Sequence, residues 1–308
     1  MNKWRLLIIS GTLALLIVST IVAAFFLIPI SKHAFIAALN DKFELLKNTE
    51  SPKIIIVGGS SSAFGIDSGI IDKEFNYNVV NTALLGGLGL RYSSEFVKTN
   101  LHEGDIVIVV PEYLHLNGTV YKDTFNKAIV EFPQSIKYVS LIQDPISLSH
   151  ILLNIQKRAR KFLGLSRPIK NYIYDRSSFN RYGDIVAHLN AVPNRKPKNF
   201  MWNYEDVNIK TIKTLNDFHN YSINEGVQVF MTFSPCTRAA EAGDKNGQEW
   251  VKELSEQISM PIISTPDRYC FPLDHFWDSE HHLNAKGRQE RTKRLVEDLK
   301  AALNENDN

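Results

Sequence analysis

With 308 residues, 44% of them hydrophobic and 22% charged, the chain has the material for one substantial α/β domain, or one domain with an appendage, and is neither a disordered nor a repeat polymer. Its formal net charge of +2 carries no basic footprint of the kind that nucleic-acid partners require, so none is expected.

From Leu6 to Ile30 there is no charged residue, a run long enough at ~1.5 Å per residue to cross the ~30 Å hydrocarbon core of a bilayer. Lys3 and Arg5 precede it and Lys32 follows, a balance that leaves the N-terminus in the cytoplasm. The run exceeds the apolar core of about 7–15 residues in a secretory signal and lacks a small-residue cleavage site. Residues 1–32 therefore read as a cytoplasmic tip and single-pass anchor, 33–52 as a helical stalk, 53–303 as the external domain and 304–308 as a disordered tail.

Strands are expected at Lys53–Gly58, Asn78–Asn81, Asp105–Val110, Val227–Phe233 and Pro261–Ser264, short and β-branched as in strands covered on both faces. Helical periodicity is best over Val207–Glu225, Gly247–Ile258 and Ala285–Leu303. This order predicts an α/β fold, a three-layer sandwich with a central parallel sheet, whose sites form at the carboxyl ends of strands. Between Gly118 and Trp202 the pattern breaks into an expected insertion. Within it, Pro145 to Tyr174 carries Lys157, Arg158, Arg160, Lys161, Arg167 and Lys170 and no acidic residue, with Ile151, Ile155, Phe162 and Leu163 on an opposite apolar face. Such a helix either rests on anionic headgroups or an anionic polymer, or is a plain solvated face.

Cys236 and Cys270 are the only cysteines. An extracytoplasmic compartment allows them to pair, and two half-buried thiols are the alternative. No CxxC pair or Cys/His cluster occurs, so neither a metal nor a cofactor is expected.

The chemistry concentrates in two stretches. "IIIVGGSSSAFGID", Ile54 to Asp67, is a strand followed by a tight turn that lifts a hydroxyl out of the fold, and "FWDSEHHLNAKGR", Phe276 to Arg288, sets Asp278, His281 and His282 just before a helix. A serine is a nucleophile only with a base and an orienting acid, and both stand in the second stretch.

Together the two stretches resemble the SGNH (GDSL-type) hydrolase superfamily over nearly all of Lys53 to Leu299. "GSSSAFG", Gly59 to Gly65, fits that family's G-D-S-x-x-x-G with Ser61 as the nucleophile and Ser60 in place of the aspartate. "NTALLG" fits its second block, which implies that Gly86 joins Ser61 in giving backbone N–H groups to an oxyanion. The third block departs: "DIVIVV" runs into "PEYLHLNG", so Tyr113 or Asn117 must supply the third donor, or the hole has two. Glu112 either contacts substrate or caps a loop. "HLN" selects His282 as base with Asp278 four residues back, whereas His281 would restore the family's three-residue spacing and lose its asparagine.

An anchored domain of this kind is similar to bacterial proteins that modify cell-envelope polysaccharides. The resemblance implies an inner-membrane location and O-acetyl transfer to, or removal from, an envelope polysaccharide or acylated sugar, with an integral-membrane acyl-donor partner. A glycan-binding scaffold without catalysis is the alternative from another class, and a membrane-facing lipase is a third.

Overall fold

In the computed structural model of the protein, the residues described are 3–140, 144–166, 172–193, 195–200, 204, 206–237 and 245–306. Arg167, Lys170 and Trp202, which figure in the expected insertion, lie outside them. In chain order the elements are α1 (Lys3–Leu27), α2 (Ala38–Asn48), β1 (Lys53–Gly58), α3 (Ser60–Gly65), α4 (Ser68–Glu74), β2 (Asn78–Asn81), α5 (Gly89–Lys98) and β3 (Ile106–Val110). They continue with α6 (Tyr113–Leu116), α7 (Lys122–Glu131), α8 (Leu148–Phe162), α9 (Ile209–Asn224), β4 (Gln228–Met231), β5 (Cys236–Thr237), α10 (Lys245–Gln257), β6 (Cys270–Phe271) and α11 (Ala285–Asn306).

The fold is α/β around a four-stranded sheet of order β2-β1-β3-β4, parallel throughout. Side chains of a strand alternate between faces, and here both faces are covered. Ile55, Val57, Val107 and Val109 pack with Leu46 of α2, Phe96 of α5 and Phe218 of α9. Ile54, Ile56, Ile106 and Ile108 pack with Ile71 of α4 and with Leu295 and Leu299 of α11. That two-sided burial is why the strands read as unbroken apolar runs.

The fifth expected strand, Pro261–Ser264, contributes only a parallel bridge between Met231 and Ile262. Proline at its start has no N–H to give a longer ladder. β5 and β6 form a second, two-stranded parallel sheet in which Cys236 and Cys270 are paired in a disulfide, with their Cα atoms 4.5 Å apart.

Two expected boundaries shift. Residues 33–52 are not a free stalk, because α2 buries Leu39, Lys42 and Leu46 against the domain. Lys42 donates to the carbonyls of Asn81, at 2.8 Å, and Gly183, at 2.6 Å, and burial lowers its pKa to about 7. The tail expected over 304–308 is helical as far as Asn306. Among the described residues α1 is the one helix long and apolar enough to cross a membrane. Its C-terminal end meets α8, where Arg158 donates to the Phe25 carbonyl.

Candidate active site

β1, the segment after β2 and the segment after β3 converge at their carboxyl ends, where open parallel sheets place their sites. The glycine that ends β1, Gly58, and the one after it, Gly59, are required by close approach. A Cβ on Gly58 would stand 2.7 Å from the Val110 carbonyl oxygen, and one on Gly59 would stand 2.3 Å from Oε1 of Glu112. Freed of side chains there, the chain turns from β1 into α3 with Ser60 as its first residue.

The histidine is held by a different device. The Trp277 N–H donates to the His282 carbonyl at 2.8 Å, and Phe276 bridges antiparallel to Leu283. This closed turn puts Asp278 and His282 on one side, with Asp278 Oδ1 2.7 Å from His282 Nδ1. The His282 ring stacks on Phe64 of α3, centroids 4.1 Å apart and planes 12° from parallel. Its Nε2 faces Ser60 Oγ at 3.0 Å. With a carboxylate at Nδ1, that nitrogen carries the proton and Nε2 is left to accept one from Ser60.

Ser61, the expected nucleophile, is not the serine that faces the imidazole. Ser61 is fully buried, and its hydroxyl pairs with Ser234 Oγ at 2.8 Å while its carbonyl accepts from Arg291 Nη1 at 2.9 Å. Successive side chains of a helix point about 100° apart, so of the adjacent serines only partly exposed Ser60 addresses the imidazole. His282 and Asp278 stand together as expected. His281 turns its ring edge-on to Phe200, with centroids 4.9 Å apart.

The expected oxyanion groups are arranged otherwise. The Ser61 N–H donates to Glu112 Oε1 at 2.8 Å, and Ser60 Oγ lies 3.2 Å from the same oxygen. A Cβ on Gly86 would stand 2.0 Å from Glu112 Oε2. The Glu112 carboxylate therefore occupies the space between the Ser61 N–H and Gly86. Tyr113 sends its hydroxyl to the Ser234 carbonyl at 3.1 Å. Asn117 is exposed at the end of α6, its carbonyl accepting from Asn208 Nδ2 at 3.5 Å. Beside the Ser61 N–H and Gly86, where Tyr113 or Asn117 was the expected third donor, stands the Glu112 carboxylate.

Burial opposes ionisation of Glu112, but the His115 ring, the Ser61 N–H, His281 and His282 outweigh it and lower its pKa. His115 accepts the Glu112 N–H at Nδ1 and donates from Nε2 to the Gly86 carbonyl at 2.7 Å, clamping the two segments together. Burial lowers the His115 pKa, against the pull of the Glu112 carboxylate.

Tyr174, from the inserted stretch, was not singled out by sequence reasoning. Its hydroxyl donates to Asp278 Oδ2 at 2.6 Å and lies 3.3 Å from His282 Nδ1. Asp278 is buried, yet its bonds to His282 and Tyr174 lower its pKa, so it is the ionised partner an imidazolium needs. No signal in a tyrosine 104 positions away marks such a contact. No group of three or more metal-binding side chains occurs among the described residues.

The arrangement of hydroxyl, imidazole and carboxylate in line is that of a nucleophile, a general base and its orienting acid. Compared with known proteins, the chain matches no family model, no curated protein and no solved structure.

Proposed function

We propose that this chain is a membrane-anchored, extracytoplasmic serine acyl-enzyme of the SGNH type, transferring an O-acetyl or related acyl group to a cell-envelope polysaccharide or removing one from it. The observation that carries the reading is the line Ser60–His282–Asp278, with separations of 3.0 and 2.7 Å. The sheet order β2-β1-β3-β4 follows the flavodoxin-like doubly wound order, which supports a three-layer sandwich of SGNH kind. An anchor in the bacterial inner membrane with a cytoplasmic N-terminus is the topology consistent with α1 and its flanking cations.

In this mechanism His282 Nε2 takes the Ser60 proton as Oγ attacks the acyl carbonyl, and returns it to the leaving oxygen as the acyl-enzyme forms. A sugar hydroxyl or water, deprotonated by the same nitrogen, then attacks the acyl-enzyme and restores Ser60. Asp278, held by Tyr174, stabilises the imidazolium formed in each half. The oxyanion would draw on the Ser61 N–H once Glu112 releases it.

The Glu112 carboxylate favours a second reading. A negative charge on the Ser61 N–H opposes an oxyanion there, which suits a glycan-binding scaffold that keeps the geometry without turnover. Fluorophosphonate labelling of the full chain, with peptide mapping of the adduct, separates the two. Adduct on Ser60 supports the acyl-enzyme. Folded protein that takes no label rejects it in favour of the scaffold.

A further inference from the structure

A cavity of about 830 Å³ lies away from Ser60, between α7, α8 and the segment that follows the apolar helix α1. Lys127, Lys157, Arg158, Arg160 and Lys161 line it, against the single carboxylate of Glu131. Glu131 is already engaged, its Oε2 accepting the Ser31 N–H at 3.0 Å. A second cavity of about 740 Å³ shares Arg158 and Lys161, is walled by Pro29, Ile30, Ser31 and Lys32, the residues just beyond α1, and carries one carboxylate, Asp175, which is already bonded to His33 and Ser177. Both therefore sit where the end of a membrane span would meet the headgroups.

Arg158 is the decisive residue. It is 2% exposed, and two of its nitrogens donate to the carbonyls of Val130 and Phe25. Its Nε has no hydrogen-bond partner. A buried guanidinium bonded to neutral carbonyls, with one donor unused, feels the Glu131 carboxylate but forms no ion pair among the described residues, so it is short of the close anion that ordinarily accompanies such a charge. Around it Lys157, Arg160 and Lys161 are exposed. Beyond them Phe162, Leu163 and Leu165 present 61%, 65% and 64% of their surfaces to solvent, an apolar tip beside a cationic rim, as in helices that lie in a membrane interface.

We infer that this pair of cavities is a binding site for the phosphate headgroup of an anionic lipid in the leaflet facing the domain, with Arg158 as its buried donor and Lys157 and Lys161 as its rim. The site rests on α1 crossing the membrane and is independent of acyl transfer. The cavity meets the candidate active site only at Tyr174, so the bound lipid seats the domain against the membrane behind the Asp278–His282 pair.

The test is native mass spectrometry of the full chain in neutral detergent, titrated with phosphatidylglycerol, with phosphatidylcholine and with inorganic phosphate. Phosphatidylglycerol should bind in preference to the other two. Lys157→Gln/Lys161→Gln should weaken it about thirty-fold, since each cation near an anionic headgroup is worth ~1 kcal/mol. Lys252→Gln/Lys293→Gln, which removes two exposed lysines from α10 and α11, should leave it unchanged. Circular dichroism checks that each variant is folded. Ser60→Ala should bind as the parent does, which separates this site from the acyl-enzyme, and resistance to alkaline extraction tests the anchor by itself. Equal binding of the two lipids, or no loss in the α8 variant, overturns the inference. Inorganic phosphate binding as tightly as phosphatidylglycerol also overturns it, by making this a site for a free anion.

Discussion

Ser60 Oγ lies 3.0 Å from His282 Nε2, while the neighbouring Ser61 hydroxyl turns inward to Ser234. If this pair is the reacting unit, Ser60→Ala, His282→Ala and the double variant should fall to nearly the same floor of acyl turnover, because members of one unit fail non-additively. Asp278→Asn should be milder, disturbing the imidazole tautomer while leaving the nucleophile. Ser61→Ala should keep its fluorophosphonate adduct and lose about 1 kcal/mol of stability with the buried Ser234 bond. Denaturant unfolding and adduct mapping check both. Loss of the adduct in Ser61→Ala with retention in Ser60→Ala would return the role to Ser61.

The contrast between these serines shows where sequence reasoning stops. The strands were legible because burial on both faces writes itself as continuous Ile and Val. Asp278 and His282 were legible because one local turn brings them together. The choice among Ser60, Ser61 and Ser62 rests on helix phase at the end of β1, and the spacing to Gly65 does not encode it. Tyr174 owes its position to tertiary packing of a stretch with little periodicity, and Arg158, on a helix that was legible, owes its burial to packing against the end of α1. The burial of α2 escaped notice because Lys42, a buried cation satisfied by two carbonyls, reads as a solvated residue.

Tyr174→Phe removes one hydroxyl and keeps a ring that packs with Phe64 and Trp277. A hydrogen bond to an ionised carboxylate is worth about 1.5–3 kcal/mol. Only part of it bears on the transition state, so turnover should fall roughly tenfold with the fold intact. Steady-state kinetics beside circular dichroism read this out, and unchanged turnover would show that Asp278 is oriented without the tyrosine.

His188 predicts the acid side of the stability profile. Burial lowers its pKa from 6.5 to about 4, so between those values the unfolded chain binds a proton that the folded chain refuses. Stability should therefore fall as pH drops from 6.5 toward 4 and level off below, by at most about 3 kcal/mol from this residue. Burial lowers the pKa values of His115 and His281 in the same direction. His188→Gln, which does not titrate, should show a flatter profile by His188's share in denaturant unfolding at several pH values. An identical slope in the variant would mean that His188 accepts its proton in the folded state.

The Cys236–Cys270 disulfide closes a loop over a sequence separation of 34 and ties the segment after β4 to the one leading toward Asp278. In the chain-entropy model such a crosslink is worth roughly 4 kcal/mol. Cys236→Ser/Cys270→Ser should lose stability on that scale, measured by denaturant midpoint. A midpoint unaffected by the double substitution would show that the crosslink adds no net stability.

Glu112 gives the sharpest test of the candidate site. Its Oε1 holds the Ser61 N–H at 2.8 Å and stands 3.2 Å from Ser60 Oγ, so the Ser60 proton has two acceptors, the carboxylate and His282. Two consequences oppose catalysis in this arrangement. The donor suited to an oxyanion is already satisfied by an anion, and a full negative charge sits beside the place where another must develop. Glu112→Gln keeps the size and an oxygen for the Ser61 N–H while removing the charge, so fluorophosphonate labelling of Ser60 should quicken by about tenfold, ~1.4 kcal/mol off the barrier. Glu112→Ala should free the N–H entirely and disturb the packing against Gly59 and Gly86, so its labelling is read together with its stability. Slower labelling in Glu112→Gln would reverse the assignment, making the carboxylate a working acceptor for the Ser60 proton.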